Sequence, residues 1–192
     1  MKHPQSTGQT GPLQVDVKQL KDHPGAQDML SRGVPAPVGF STVLVGIPEG
    51  SNFAVDLRIE SVHEGVLMTG TASAEVVGEC GRCLDPISYP LSVDVMQLFS
   101  WADKAQGTDT GEDEENRAVG EDLMVDVEPV LRDLMVSALP FQPVCRDDCP
   151  GLCSECGFRM EEDPEHEHEQ VDPRWAALQG LKNQLNDGDE EA

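Results

Sequence analysis

The sequence predicts an α+β protein: an antiparallel β-sheet or partial barrel, then a helix, a cysteine-rich zinc-binding segment and a C-terminal amphipathic helix. Three observations lead there. Between residues 42 and 99 apolar and polar side chains alternate in several short runs, the period of strands with one buried face. Two later runs, Glu128–Leu139 and Asp172–Leu185, repeat apolar residues every three or four positions, as a helix that buries one stripe does. Four of the six cysteines fall between those two runs.

The elements follow in order. Residues 1–12, MKHPQSTGQTGP, read as a flexible leader rich in Gly, Pro, Ser and Thr. A β region is expected over 13–100. It opens with a short strand at Leu13–Val17, where Leu13, Val15 and Val17 alternate. Residues 18–38 hold Pro24, Gly25, Gly33, Pro35 and Pro37 and read as a turn-rich connection. Val43–Ile47 is a short apolar strand. Phe53–Val62 alternates as Phe53, Val55, Leu57 and Ile59, with Asp56, Arg58 and Glu60 on the other face. His63-Glu64-Gly65 then turns the chain into Val66–Val77, and Pro90–Phe99 alternates again. Residues 101–120 lack any period and read as an acidic exposed loop. The segment 121–186 is expected to contain a last strand at Asp122–Val127, the helix Glu128–Leu139, the cysteine-rich stretch and the final helix, before an acidic tail at 187–192. Pro129 suits the first turn of the first helix, where its missing N–H goes unused. Asp172 and Pro173 form an N-cap and N1 pair for the second, whose stripe is Trp175, Leu178, Leu181 and Leu185.

Charge narrows the function classes. The chain carries 36 acidic and 13 basic residues, a net of −23. Seventeen of the acidic groups lie in 101–120, 161–172 and 187–192; outside these runs 19 acidic residues face 11 basic ones, so the folded part is itself acidic. Tight gripping of nucleic-acid backbones draws on Lys and Arg, so this balance argues against direct nucleic-acid binding as the main task and suits a basic protein partner. With 38% hydrophobic and 4% aromatic residues, the core is modest and aliphatic. The N-terminus has no apolar signal region, and no run approaches the length of a membrane span, so a cytoplasmic location is expected. Thiols are kept reduced there, which directs six cysteines toward metal or redox chemistry before disulfides.

The cysteines occupy two places: Cys80 and Cys83 in GECGRCLDP, and Cys145, Cys149, Cys153 and Cys156 in VCRDDCPGLCSECG. A Cys-x-x-Cys turn lets two thiolates chelate one ion while backbone N–H groups point at the sulfurs, and Gly157 eases the second turn. His166 follows Cys156 after nine intervening residues, with His168 two positions further on. Six thiolates and two imidazoles make eight donors, enough for two closed tetrahedral zinc sites. In the preferred partition Cys153, Cys156, His166 and His168 form a local site, and Cys80 and Cys83 are joined by Cys145 and Cys149. Rival partitions place Cys145, Cys149, Cys153 and Cys156 around a single ion, with Cys80 and Cys83 a free dithiol, or pair the two Cys-x-x-Cys motifs. One or two zinc ions are therefore expected. Arg82, Arg146 and Arg159 stand beside cysteines, where guanidinium groups offset the net −2 of a four-thiolate zinc site; a small basic patch for RNA is the alternative.

A redox role for Cys80 and Cys83 is the competing hypothesis, since Cys-Gly-Arg-Cys resembles the turn of dithiol oxidoreductases. Those thiols work at a helix N-terminus, whereas here the motif sits within a β pattern. The sequence has no phosphate loop, no nucleophile elbow and no His-Glu-x-x-His motif, and His63 lies at a turn without a neighbouring nucleophile, so no enzyme activity is expected.

Four stretches in order, CGRCLDP at 80–86, LPFQPVC at 139–145, DDCPGLCSECG at 147–157 and VDPRWAALQGL at 171–181, resemble the large ribosomal RNA subunit accumulation protein family of YceD type. The resemblance covers most of residues 13–185. Many members of that family carry Cys-x-Cys where this chain has His166-Glu167-His168, a swap that preserves metal-binding character. Some relatives lack the Cys153/Cys156 pair, which suggests that the two metal sites are separable. The resemblance implies a non-enzymatic role in the synthesis, processing or stability of 23S rRNA, and thereby in large-subunit assembly. Combined with the charge, it implies action through a basic ribosomal protein or assembly factor.

Overall fold

Alternating strands bury one face only when a sheet backs them with a core, and the described residues do this with seven strands and one helix. The computed structural model describes residues 11–101 and 118–168. Most of the expected leader and of the acidic loop, the helix at Asp172–Leu185 and the acidic tail lie outside the described residues. The chain divides into two units, Met1–Asp147 and Asp148–Ala192.

In the first unit the strands are β1 (Gln14–Asp16), β2 (Gln27–Pro35), β3 (Val45–Gly46), β4 (Asn52–Ser61), β5 (Gly65–Glu79), β6 (Pro86–Ser100) and β7 (Met124–Asp126), followed by helix α1 (Glu128–Ala138). All paired strands are antiparallel. β5 is the spine: one edge pairs with β4 and then β3, the other with β6 over its whole length, while β2 extends the sheet beyond β4. β1 and β7 form a separate two-stranded ladder.

The two-residue period is obeyed. Phe53, Val55, Leu57 and Ile59 of β4 and Val66, Met68, Ala72 and Val76 of β5 are all but fully buried, and Val95 and Phe99 of β6 join them. Val15, Val125 and Val127 close the core from the small ladder. α1 adds Leu131 and Met135, both fully buried. Pro129 does sit in its first turn, and the carboxylate of Asp126 accepts a hydrogen bond from the Glu128 N–H at 2.9 Å. The helix stops at Leu139, which turns extended because Pro140 disfavours helical geometry in the residue before it. Phe40 meets Phe53 edge-on at 5.3 Å and lies beneath the Arg132 guanidinium, 5.7 Å from its ring centre. Gly70 is dictated by close approach: a Cβ there would lie 2.0 Å from the Asp56 carbonyl oxygen.

The structure revises three local expectations. Residues 27–35, read as part of a turn-rich connection, form the nine-residue strand β2. Only Leu30 and Val34 face the core, so the alternation is too sparse to read, and as an edge strand β2 tolerates Gly33 and a terminal Pro35. β6 begins at Pro86, ahead of the expected Pro90; both prolines are accommodated because, among the described residues, residues 86–90 pair only with β5. Of the apolar run Val43–Ile47 only two residues pair as strand, and Val43 is 99% exposed.

Candidate metal centres

Both Cys-x-x-Cys motifs fold into the same backbone turn. In the first, the Leu84 N–H donates to the Cys80 carbonyl at 2.9 Å and the Cys80 N–H to the Asp85 carbonyl at 2.8 Å. In the second, the Gly157 N–H donates to the Cys153 carbonyl at 2.9 Å and the Cys153 N–H to the Phe158 carbonyl at 2.8 Å. The residue after the second cysteine is left-handed in each, Leu84 at φ 62° and Gly157 at φ 72°. The first turn caps the β5–β6 hairpin and not a helix N-terminus. It is docked on the segment after α1: the Gly81 N–H donates to the Pro143 carbonyl at 2.7 Å and Arg82 Nη1 to the Asp147 carbonyl at 3.1 Å.

This docking gathers donors that are far apart in sequence. Within the first unit the sulfurs of Cys80, Cys83 and Cys145 all lie within 4.8 Å of one another. Cys83 Sγ and Cys145 Sγ are 3.7 Å apart, and no two of the six cysteines are joined in a disulfide. A tetrahedral zinc with bonds of about 2.3 Å spaces its sulfurs by about 3.8 Å. Cys80, Cys83 and Cys149 are buried and Cys145 is exposed.

In the second unit Cys153, Cys156, His166 and His168 form a local group of the same compactness. Both imidazoles turn Nε2 inward: His166 Nε2 and His168 Nε2 are each 3.2 Å from Cys156 Sγ and 2.9 Å from each other. His168 Nδ1 faces the Glu155 carboxylate at 3.7 Å, and His166 stacks on Phe158 with ring centres 4.6 Å apart. Such outer partners hold a ligating imidazole in orientation. Glu155 and Phe158 were not legible as site residues, because their roles depend on where the chain returns to the turn.

The electrostatics suit a cation. Burial pushes the Cys80 thiol up, but hydrogen bonds from the backbone N–H groups of Cys83, Arg82 and Cys145 outweigh it and bring the pKa down to about 6. At Cys153 the N–H groups of Cys156 and Glu155 lower the thiol pKa to about 6 against a small burial effect. Both shifts favour the thiolate, the form that binds metal. Groups of S and N donors with no carboxylate among them could hold a soft or borderline metal ion.

Leu84 marks a strained point. The left-handed conformation costs a non-glycine residue about 1–2 kcal/mol, and its side chain is 55% exposed, so little packing is at stake. Leu84→Gly is expected to raise stability by about 0.5–1 kcal/mol, and Gly157→Ala to lower it by about 1 kcal/mol. Denaturant midpoints of the two variants with metal bound check this; a destabilised Leu84→Gly would contradict it.

The family model for the large ribosomal RNA subunit accumulation protein YceD matches residues 68–182, a span that contains all eight donors. The chain belongs to the YceD family. Its similarity to the uncharacterized protein Rv2926c of Mycobacterium tuberculosis is 46% identity over 167 residues, 87% of this chain and 80% of the relative. The uncharacterized protein ML1660 of Mycobacterium leprae is 40% identical over 167 residues, covering 87% of this chain and 76% of its own length. The YceD-family chain is also 30% identical to the uncharacterized Bacillus subtilis protein YlbN, over 59% of this chain and 64% of that one. No solved structure matches it. Among the described residues, no helix is long and apolar enough to cross a membrane.

Proposed function

We propose that this protein is a non-enzymatic cytoplasmic factor for the synthesis, processing or stability of 23S rRNA, and that it acts in large-subunit assembly through a basic ribosomal protein or assembly factor. Membership of the YceD family is the observation that carries the reading. The two donor groups support it: each would hold one zinc ion in a closed shell, the first fixing the β5–β6 turn to the segment after α1, the second ordering the Cys153–His168 loop. A net charge of −23 favours a basic protein as partner over bare RNA.

The test is depletion in the native host followed by measurement of 23S relative to 16S rRNA. A fall in the ratio, restored by the wild-type gene, is expected; an unchanged ratio overturns the reading. Thiol titration addresses the redox alternative. Zinc-bound thiolates react slowly until a chelator is added, whereas a dithiol at Cys80 and Cys83 is modified at once.

A further inference from the structure

The face of the main sheet turned away from the core has a composition that solubility alone does not call for. Odd-numbered residues of β2 and β5 and even-numbered residues of β4 and β6 point outward. Register aligns them in rows across four strands. Met29, Arg58, Thr69 and Met96 form one row, and Gln27, Glu60, Leu67 and Leu98 form the next. Met96 is 77% exposed, Met29 72% and Leu98 37%. Soluble surfaces scatter single apolar residues, but here Leu67 stands opposite Leu98 with Met96 beside them on β6, while Met29 lies across Arg58 and Glu60 at the far edge, and methionine suits surfaces that adapt to a partner.

Charge states what kind of partner. The adjoining row on the other side carries Asp56 and Asp94, aligned through Ser31 and Thr71. With Glu60, Glu75 and Glu79 the outward face holds five carboxylates against one guanidinium, that of Arg58, which is paired with Glu60 at 2.8 Å. An apolar stripe bordered by carboxylates is complementary to a helix with an apolar stripe bordered by lysine or arginine. The span fits: strands about 4.8 Å apart place Met29 and Met96 about 14 Å from one another, wide enough to seat a helix about 10 Å across. Nucleic acid and anionic lipid are repelled by the same carboxylates.

We propose that this outward sheet face, centred on Met96, Leu98, Leu67 and Met29, is the docking surface for a basic amphipathic helix of the partner protein. The assignment rests on the reading that the chain acts through a basic partner and names the surface that partner meets.

The probe is a synthetic Leu/Lys peptide of about 18 residues with its leucines on one helical face, compared with a scrambled peptide of identical composition. With the full, zinc-loaded chain, the amphipathic peptide is expected to shift backbone amide signals around Arg58, Leu67, Thr69 and Met96. The combined variant Met29→Ser, Met96→Ser and Leu98→Ser alters exposed side chains only, and is expected to weaken binding about tenfold or more while leaving the weak binding of the scrambled peptide unchanged. Shifts confined to other surfaces, equal affinity for both peptides, or unaltered binding by the variant would each overturn the proposal. So would a dimer that the three serines dissociate, since the occupant would then be a second copy. Complementation separates this from the parent reading. If depletion leaves the 23S to 16S ratio unchanged, the parent reading fails. If depletion lowers the ratio and the triple-serine variant restores it fully, the docking surface fails alone.

Discussion

Cys80→Ser is expected to reduce the metal content of the full chain from two ions to one and to destabilise the first unit by roughly 4–5 kcal/mol, the upper range where loss of a metal falls. The physical argument starts from the turn. Cys80 is fully buried, its sulfur receives backbone N–H groups, and it lies with the sulfur of Cys83 from its own turn and that of Cys145 from the segment after α1. Without a cation, those sulfurs repel one another as thiolates or must take up protons, and the contact of the turn with Pro143 and Asp147 loses its clamp. Serine removes one ligand and leaves a buried hydroxyl. His166→Ala is the matched control: it should also leave one ion per chain, but with the unfolding of the first unit unchanged, because its group is local to Cys153–His168. Metal analysis of untagged protein with parallel urea unfolding gives both readings. Two ions retained in Cys80→Ser would refute the first site.

Phe53→Ala is expected to cost about 3–5 kcal/mol, the range for emptying a buried aromatic position. Phe53 is fully buried in β4, pairs opposite Ala74 of β5, and packs edge-on against Phe40. Few aromatics are available to rebuild the space, since they make up 4% of the chain. A domain holds about 5–15 kcal/mol in total, so the variant should approach the edge of folding at elevated temperature. The denaturant midpoint should fall with the slope unchanged while two ions remain bound to the folded protein. A loss under about 1 kcal/mol would mean the core collapses around the gap, contrary to the packing described.

Much of this architecture was legible because it rests on local period. Alternation located β4, β5 and most of β6, and three- and four-residue steps located α1, since burial on one face imposes exactly those repeats on a chain. Edge strands escaped where that constraint is weak: β2 offers the core only Leu30 and Val34, and the first residues of β6 include two prolines that a one-sided strand tolerates. The donors themselves were visible as residue types and spacings. Their outer partners were not: Glu155 and Phe158 belong to the second site only because the chain folds back past them, and Leu84 gives no sign in the sequence of its left-handed backbone.

The division has one physical origin. Hydrophobic period, ligand chemistry and net charge are properties of neighbouring residues, so the chain alone determined an α+β protein with soft metal donors and an acidic surface. Which sulfurs meet, and which outward side chains stand side by side, depends on strand register. Register brings Met29 and Met96, 67 residues apart in sequence, onto one row, and docks the β5–β6 turn against the segment after α1. Only the tertiary structure decides such long-range pairings, because a shift of register by one residue would send every side chain to the opposite face.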